Sequence, residues 1–435
     1  MLRLSTLGLP TGLGRSKFED LLIQLFCLSL LLIPVGFLTV KSWVTTLSLV
    51  AFLLSLMLLF ATHNYRGGNG PSRPWNRDRL LPLLFASPLL IDLIAQLGRQ
   101  EWAPSQLDAP ARLLIFIPIY VLLRRLNLDL SRNFITYMAM ASPLALIHLA
   151  IDPSYYWGDR WATSPSDPNT LGLFCGALVA PSIAKLATGA SSKPMLAIHT
   201  LSITCGTLIV MGSQSRIAFL ELLSLLCLGL ILGAKEKGLR TFLPAIASAF
   251  VIGTGLVWSN PGYQHRIASI YIELSQWQES ENQPSSAATR LDMLEVSVLL
   301  LSKRLLFGYG DGNYQHVARQ LPDYPRLLYA VESIHNTPHN EILTKGLRSG
   351  IAGAAASGLL LLVPIITFVR RAFRKKSTIG SIAIAGGMFS LGILLASFSM
   401  AVFSLAFTTS FFAVSMAIFL AGRDHDKRLE HISEK

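Results

Sequence analysis

The stretch WVTTLSLVAFLLSLMLLFAT, residues 43–62, decides the class of fold. Its twenty residues carry no charge, and as a helix rising about 1.5 Å per residue they span about 30 Å, the depth of a bilayer's hydrocarbon core. Apolar side chains occupy every face of such a helix, and no strand-like alternation appears, so a half-buried strand does not fit. Similar runs, bounded by charge or by Pro/Gly clusters, recur at 19–39, 80–98, 110–123, 133–151, 169–187, 195–212, 216–233, 241–259, 350–369, 378–397 and 400–421. The fourth, 110–123, is short and has room to extend back towards Asp108. The chain of 435 residues is 51% hydrophobic and 14% charged, with a mean hydropathy of +0.49, whereas soluble proteins carry about a quarter charged residues. Only helices and closed barrels satisfy their backbone groups inside a bilayer. The expectation is therefore an all-α polytopic membrane protein of about twelve transmembrane helices, read as one domain over 1–435.

Arg3, Arg15 and Lys17 precede the first apolar run, which has the length of a membrane anchor and no small-residue cleavage site after it. Cys27, Cys175, Cys205 and Cys227 all fall inside apolar runs, a distribution that suggests neither a disulfide framework nor a zinc site. The net charge of +12 is unevenly placed. With the N-terminus in the cytoplasm and the runs alternating, 24 Lys and Arg fall on the cytoplasmic side. The short loops of the opposite side hold 5, and the long segment 259–349 holds 8. This is a positive-inside bias, and it assigns the basic excess to anionic lipids of the cytoplasmic leaflet rather than to nucleic acid. Both termini are then cytoplasmic, and 259–349 is a large periplasmic segment between the ninth and tenth helices. Within it Ile267, Ile270, Tyr271, Leu274 and Trp277 recur at helical spacing, as in a helix along a membrane surface. ESENQPSSAAT reads as a loop, and Arg290 opens a second helix in RLDMLEVSVLLLSKRLL. The glycines of FGYGDGNY lack the spacing of a phosphate-binding loop and read as a turn.

That segment ends on HNTPHNEILTKGLRSGIAG, residues 335–353, an unusually polar cluster ahead of an apolar run. Thr337 is placed to cap, and Pro338 to open, a helix continuing through His339, Asn340 and Glu341. His335 and His339 stand four apart, but no third ligand accompanies them and Pro338 interrupts the helix that would align them, so a metal pair is a poor reading. A neutral imidazole at a helix start can instead take a proton from a hydroxyl, with Glu332 and Glu341 as rival bases. Three arginines fall at the outer face: Arg160 before the sixth helix, Arg216 at a tight turn opening the eighth, and Arg290. Singly each is a snorkelling interfacial residue. Together, against the inside bias, they outline a cationic pocket suited to the fork-like recognition of a membrane-borne diphosphate. Arg112 and Asp108 read as a structural pair at a helix start.

These residues resemble the O-antigen ligase family, part of a wider superfamily with O-antigen polymerases and protein O-oligosaccharyltransferases. The signature His-[Asn/Ser/Gln]-x9-Gly-x-x-[Gly/Thr/Tyr] is matched by His339, Asn340, Gly350 and Gly353. The element Arg-x-x-x-Leu is matched by Arg216 and Leu220, with the same spacing at Arg290 and Leu294. His335 lies outside the signature. The resemblance implies a GT-C-like, inverting membrane glycosyltransferase that needs no metal, ATP or other cofactor. It implies transfer of O-antigen glycan from undecaprenyl diphosphate to lipid A–core oligosaccharide at the periplasmic face of a Gram-negative inner membrane. Arg216 and Arg290 would hold the diphosphate and stabilise its developing charge, and His339 would activate the acceptor hydroxyl. Arg160, Asn340 and His335 would contact substrate, with Arg160 serving either the donor or the core phosphates. A polymerase uses similar parts. A lipid-linked glycan flippase is a different class, and would gather its cations at the membrane midplane.

Overall fold

In the computed structural model the described residues are 17–61, 80–152, 157–189, 192–235, 239–259, 264, 286–311, 313–322, 327, 330–332, 337–373 and 381–422. They form fourteen helices: α1 (Lys17–Leu32), α2 (Trp43–Ala61), α3 (Leu80–Arg99), the mixed 3-10/α helix α4 (Pro104–Arg125), α5 (Ser131–Ile151), α6 (Pro168–Ala187), α7 (Lys193–Ser213), α8 (Arg216–Lys235), α9 (Leu239–Ser259), α10 (Ser286–Lys303), α11 (Asn313–Ala318), α12 (Glu341–Ala372), α13 (Ser381–Ser397) and α14 (Ala406–Ala421). Among the described residues the only β feature is one isolated bridge, Thr163 to Ser166. Among the described residues eight helices are long and apolar enough to cross a membrane: α2 to α8 and α12. Helices occupy all or part of each of the twelve apolar runs, but α13 and α14 are shorter apolar helices. The fourth run does extend backwards, to Pro104.

The bundle is organised around α6. Asp167 caps it, its carboxylate accepting from Asn169 N at 2.9 Å and Thr170 N at 3.2 Å, with Pro168 in the first turn. The helix is buried along nearly its whole length and packs against α5, α7, α8 and α13. Small residues permit that crowding. A Cβ at Gly172 would stand 2.5 Å from Ser213 Oγ and 2.9 Å from the Ala218 Cβ, so the side chains of α7 and α8 press on the α6 backbone where only a hydrogen fits. On the other side of the bundle α14 packs on α4 and α2, and a run of stacked and tilted rings joins Phe85, Phe116, Tyr120, Phe412 and Phe403. All four cysteines are free.

The segment between α9 and α12 has a core of its own. Met293, Val296 and Leu300 of α10 bury against Tyr309, Tyr314, Leu321, Leu327, Ala330, Val331 and, from α12, Leu347. The helix read as opening at Arg290 begins at Ser286, which places Arg290 in its second turn. The surface helix expected at Ile267–Trp277 lies outside the described residues, and so does His335.

Two expectations at the tenth helix are corrected. The helix does not run from Thr337: α12 starts at Glu341, its cap is Asn340, whose Oδ1 accepts from Leu343 N at 3.0 Å, and His339 precedes it with φ +53. Asn340 is favoured as a cap because its short side chain reaches the free amides of the first turn. Nor is 350–369 the whole helix, since α12 runs from Glu341 to Ala372 with a break at Ser349 and Gly350. Gly350 has φ +74, and a Cβ there would meet Leu306 O at 2.2 Å. The FGYG stretch fills the break. Ile351 N donates to Leu305 O at 2.7 Å, while Tyr309 N and Gly310 N donate to Leu347 O at 2.7 Å and Arg348 O at 3.1 Å. The glycine that the motif requires is thus a hinge-point where loop backbone replaces helical hydrogen bonding.

A buried ion pair ties α3 to α12: Lys345 Nζ lies 3.1 Å from Asp92 Oδ2, and Ser349 Oγ donates to Asp92 Oδ1. Both pair members are buried. Lys345→Ala is expected to destabilise the protein by about 3–5 kcal/mol, because it strands a carboxylate away from water. Thermal unfolding of the detergent-solubilised variant reads this directly; an unchanged Tm would mean that solvent already reaches Asp92.

Candidate active site

Residues far apart in the chain meet where the starts of α6, α8 and α12 approach the ends of α7 and α13. Gln214 closes α7 in the left-handed conformation, with φ +52, and the chain re-enters a helix at Arg216. The tight turn read from GSQSR is thus two residues long, and it leaves Arg216 in the first turn of α8. Arg160 braces this turn. Its Nε donates to Ser213 O at 3.0 Å and its Nη2 to Asn169 Oδ1 at 2.9 Å, which joins the end of α7 to the start of α6.

Arg290 reaches the same place from α10. It is half-buried, and its Nη1 donates to Ser399 Oγ at 3.3 Å. Burial first, and then the charge of Arg216, pull its pKa below the ordinary guanidinium range. The two guanidiniums are therefore close enough to repel one another, an arrangement that favours a shared anion between them.

His339 completes the group. It retains exposed surface, yet the packing around its ring and, second, the Arg290 cation lower its pKa below the ordinary 6.5, while the Asp167 carboxylate acts in the opposite direction. Its left-handed backbone is costly for a residue with a Cβ, and such strain persists where surrounding structure imposes it. Here Pro338 before it and the Asn340 cap after it fix the approach to α12. The ring thus stands at the amide end of a long helix with Arg290 near, and both conditions favour neutral imidazole.

The rival carboxylates are occupied. Glu341 is fully buried, with Oε2 accepting from Phe403 N at 2.9 Å and Oε1 from Ser357 Oγ at 3.1 Å. Glu332 is locked in a two-pronged pair with Arg319 at 2.8 and 2.7 Å. Arg112 pairs with Asp108 at 3.1 Å, as its spacing of four suggests. No group of three or more His, Cys, Asp or Glu able to hold a metal ion occurs among the described residues.

Sequence reasoning missed three contributors: Asp167, Ser399 and Glu341 as a structural group. The Asp-Pro-Asn step at 167–169 is a helix-start signal that points to Asp167. Ser399 has no local signature, because only the return of the chain between α13 and α14 brings it to Arg290.

The architecture defines a multi-pass helical membrane protein, and the polar convergence gives one end of its bundle a cationic, histidine-bearing cluster as the candidate site. Residues 201–358 match the family model described as O-Antigen ligase, and Arg216, Arg290, His339, Asn340, Gly350 and Gly353 all fall inside that span. The match supports the O-antigen ligase family, the family that the histidine signature resembles, and with it a membrane enzyme of O-antigen ligase/polymerase type. A Haemophilus influenzae protein that bears only the name "Uncharacterized protein" is 23% identical over 364 residues, covering 81% of this chain and 84% of its own.

Proposed function

We propose that the protein is an O-antigen ligase, transferring glycan from undecaprenyl diphosphate to lipid A–core oligosaccharide with inversion at the anomeric carbon. The observation that carries this reading is that Arg290 stands within electrostatic reach of both Arg216 and the His339 ring, groups carried by three separate helices or their approaches. In the proposed step the acceptor hydroxyl attacks the anomeric carbon as His339 takes its proton, and the glycosyl–diphosphate bond breaks. The bonding pair leaves on the diphosphate oxygen, where Arg216 and Arg290 neutralise the charge that develops. No cofactor or metal enters this chemistry.

The site is placed at the periplasmic face of the inner membrane, with 259–349 periplasmic and 63–79, 370–377 and both termini cytoplasmic, because 24 basic residues against 5 favour that orientation. Arg160, braced against Ser213 and Asn169, is a scaffold for the pocket wall as well as a candidate substrate contact. Asn340 is committed to its cap through Oδ1, so any substrate contact falls to the rest of its amide.

Reconstitution with a defined lipid-linked donor tests the function. Transfer to lipid A–core is expected. Chain extension on a second lipid-linked glycan would make the protein a polymerase, and movement of the donor across the bilayer without transfer would make it a flippase. Cysteines placed at 285 and 377 in a cysteine-free background test the orientation: an impermeant label should reach 285 and not 377 in intact spheroplasts.

A further inference from the structure

The eight residues joining α13 to α14, 398–405, form a strap whose inner part is buried: Ser399, Met400, Ala401, Val402 and Phe403 are all nearly inaccessible. A connection of this kind would ordinarily lie at the surface, because its backbone polar groups need water. Here Ser399 N and Met400 N donate to Ala396 O and Ser404 N to Ala401 O, and three polar side chains from the helices bearing the candidate site hold the strap in place. Arg290 Nη1 donates to Ser399 Oγ at 3.3 Å, Glu341 Oε2 accepts from Phe403 N at 2.9 Å, and Arg348 Nη1 donates to Ser404 Oγ at 2.9 Å. The strap is therefore clamped by α12 only two residues beyond His339, and its other end bears the hydroxyl that meets Arg290.

We propose that Ser399 is a positioning residue for Arg290, and that Glu341, by pinning the strap through the Phe403 amide, sets the spacing between Arg290 and His339. An arginine on the second turn of α10 has several rotatable bonds, and Arg216 repels it. Fixing one nitrogen on a buried hydroxyl limits where the remaining donors point, and it spares the ordering cost when a diphosphate arrives. A hydroxyl suits this task because it accepts the bond without neutralising the charge. A carboxylate in the same place would pair with Arg290 and compete with the substrate. Glu341 avoids that conflict, since its carboxylate faces Phe403 and Ser357 rather than the arginine.

This inference rests on the ligase reading, and binding of undecaprenyl diphosphate to the purified full chain separates the two. Ser399→Ala is expected to weaken that binding by about three- to tenfold, the loss of one such hydrogen bond, while Ser399→Thr, which keeps the hydroxyl, restores it. In an Arg290→Ala background Ser399→Ala should add nothing, because the effect runs through Arg290. Glu341→Gln, which keeps an oxygen for the Phe403 amide, should retain more affinity than Glu341→Ala, and the serine cycle stands by itself if the latter does not fold. An equal loss from Ser399→Ala with and without Arg290 would overturn the proposal, as would unaltered binding in Ser399→Ala alongside weakened binding in Arg290→Ala. If wild-type protein fails to bind the lipid diphosphate at all, the ligase reading falls and this inference with it.

Discussion

On the proposed mechanism, His339→Ala is expected to lower glycan transfer by about two to four orders of magnitude while leaving donor binding largely intact, because the role proposed for the ring is on the acceptor's proton and not on the diphosphate. The pH profile supplies an independent signature. Burial and Arg290 lower the His339 pKa below 6.5, so the base stays neutral, and the reaction fast, through that value on acidification. Transfer should then fall further into the acid range as the ring protonates and can no longer accept. EDTA should leave the rate unchanged. Asn340→Ala separates structure from chemistry: it removes the α12 cap and should cost about 0.5–2 kcal/mol of stability with a milder effect on turnover. Initial rates at saturating donor, compared across alanine variants of His339, Glu332 and Glu341 of matched folding, decide the assignment. Near-normal turnover in His339→Ala would exclude it as the base.

The second large effect belongs to the arginines. Arg216→Ala and Arg290→Ala should each slow transfer by about two orders of magnitude or more and weaken donor binding, because each removes a cation that the proposed mechanism sets against the developing leaving-group charge. Lysine should rescue only in part, since an ammonium cannot present two parallel donors to phosphate oxygens. The half-buried Arg290 is held near a like charge, so an incoming diphosphate relieves repulsion there as well as forming new bonds. Wild-type rates and donor affinity in both alanine variants, at normal expression, would return these side chains to the role of interfacial snorkelling.

Much of the fold is legible without coordinates because a bilayer imposes a simple rule on sequence. Runs such as 43–62 are apolar on every face, and only a helix of that length satisfies its backbone there. The histidine signature, the arginines at helix starts and the Arg112–Asp108 spacing are local patterns, readable for the same reason: each depends on neighbours within a few residues. Asp92 was also readable in principle, as a carboxylate inside an apolar run, which calls for a partner. Its partner was not, since Lys345 belongs to a helix more than two hundred residues away.

The sequence by itself determined the helical membrane class, the polar cluster before α12 and the residue types capable of the chemistry. Tertiary structure alone decided that Asn340 rather than Thr337 caps α12, that His339 takes a left-handed backbone, and that Glu341 is a buried clamp. It also decided that α12 breaks at Gly350 to receive the FGYG backbone, and that a serine between α13 and α14 meets Arg290. The physical reason is the range of the forces involved. Hydrophobic length and capping propensity act along the chain, whereas the pairing of buried polar groups is settled only when packing brings distant helix ends together and leaves each donor a single available acceptor.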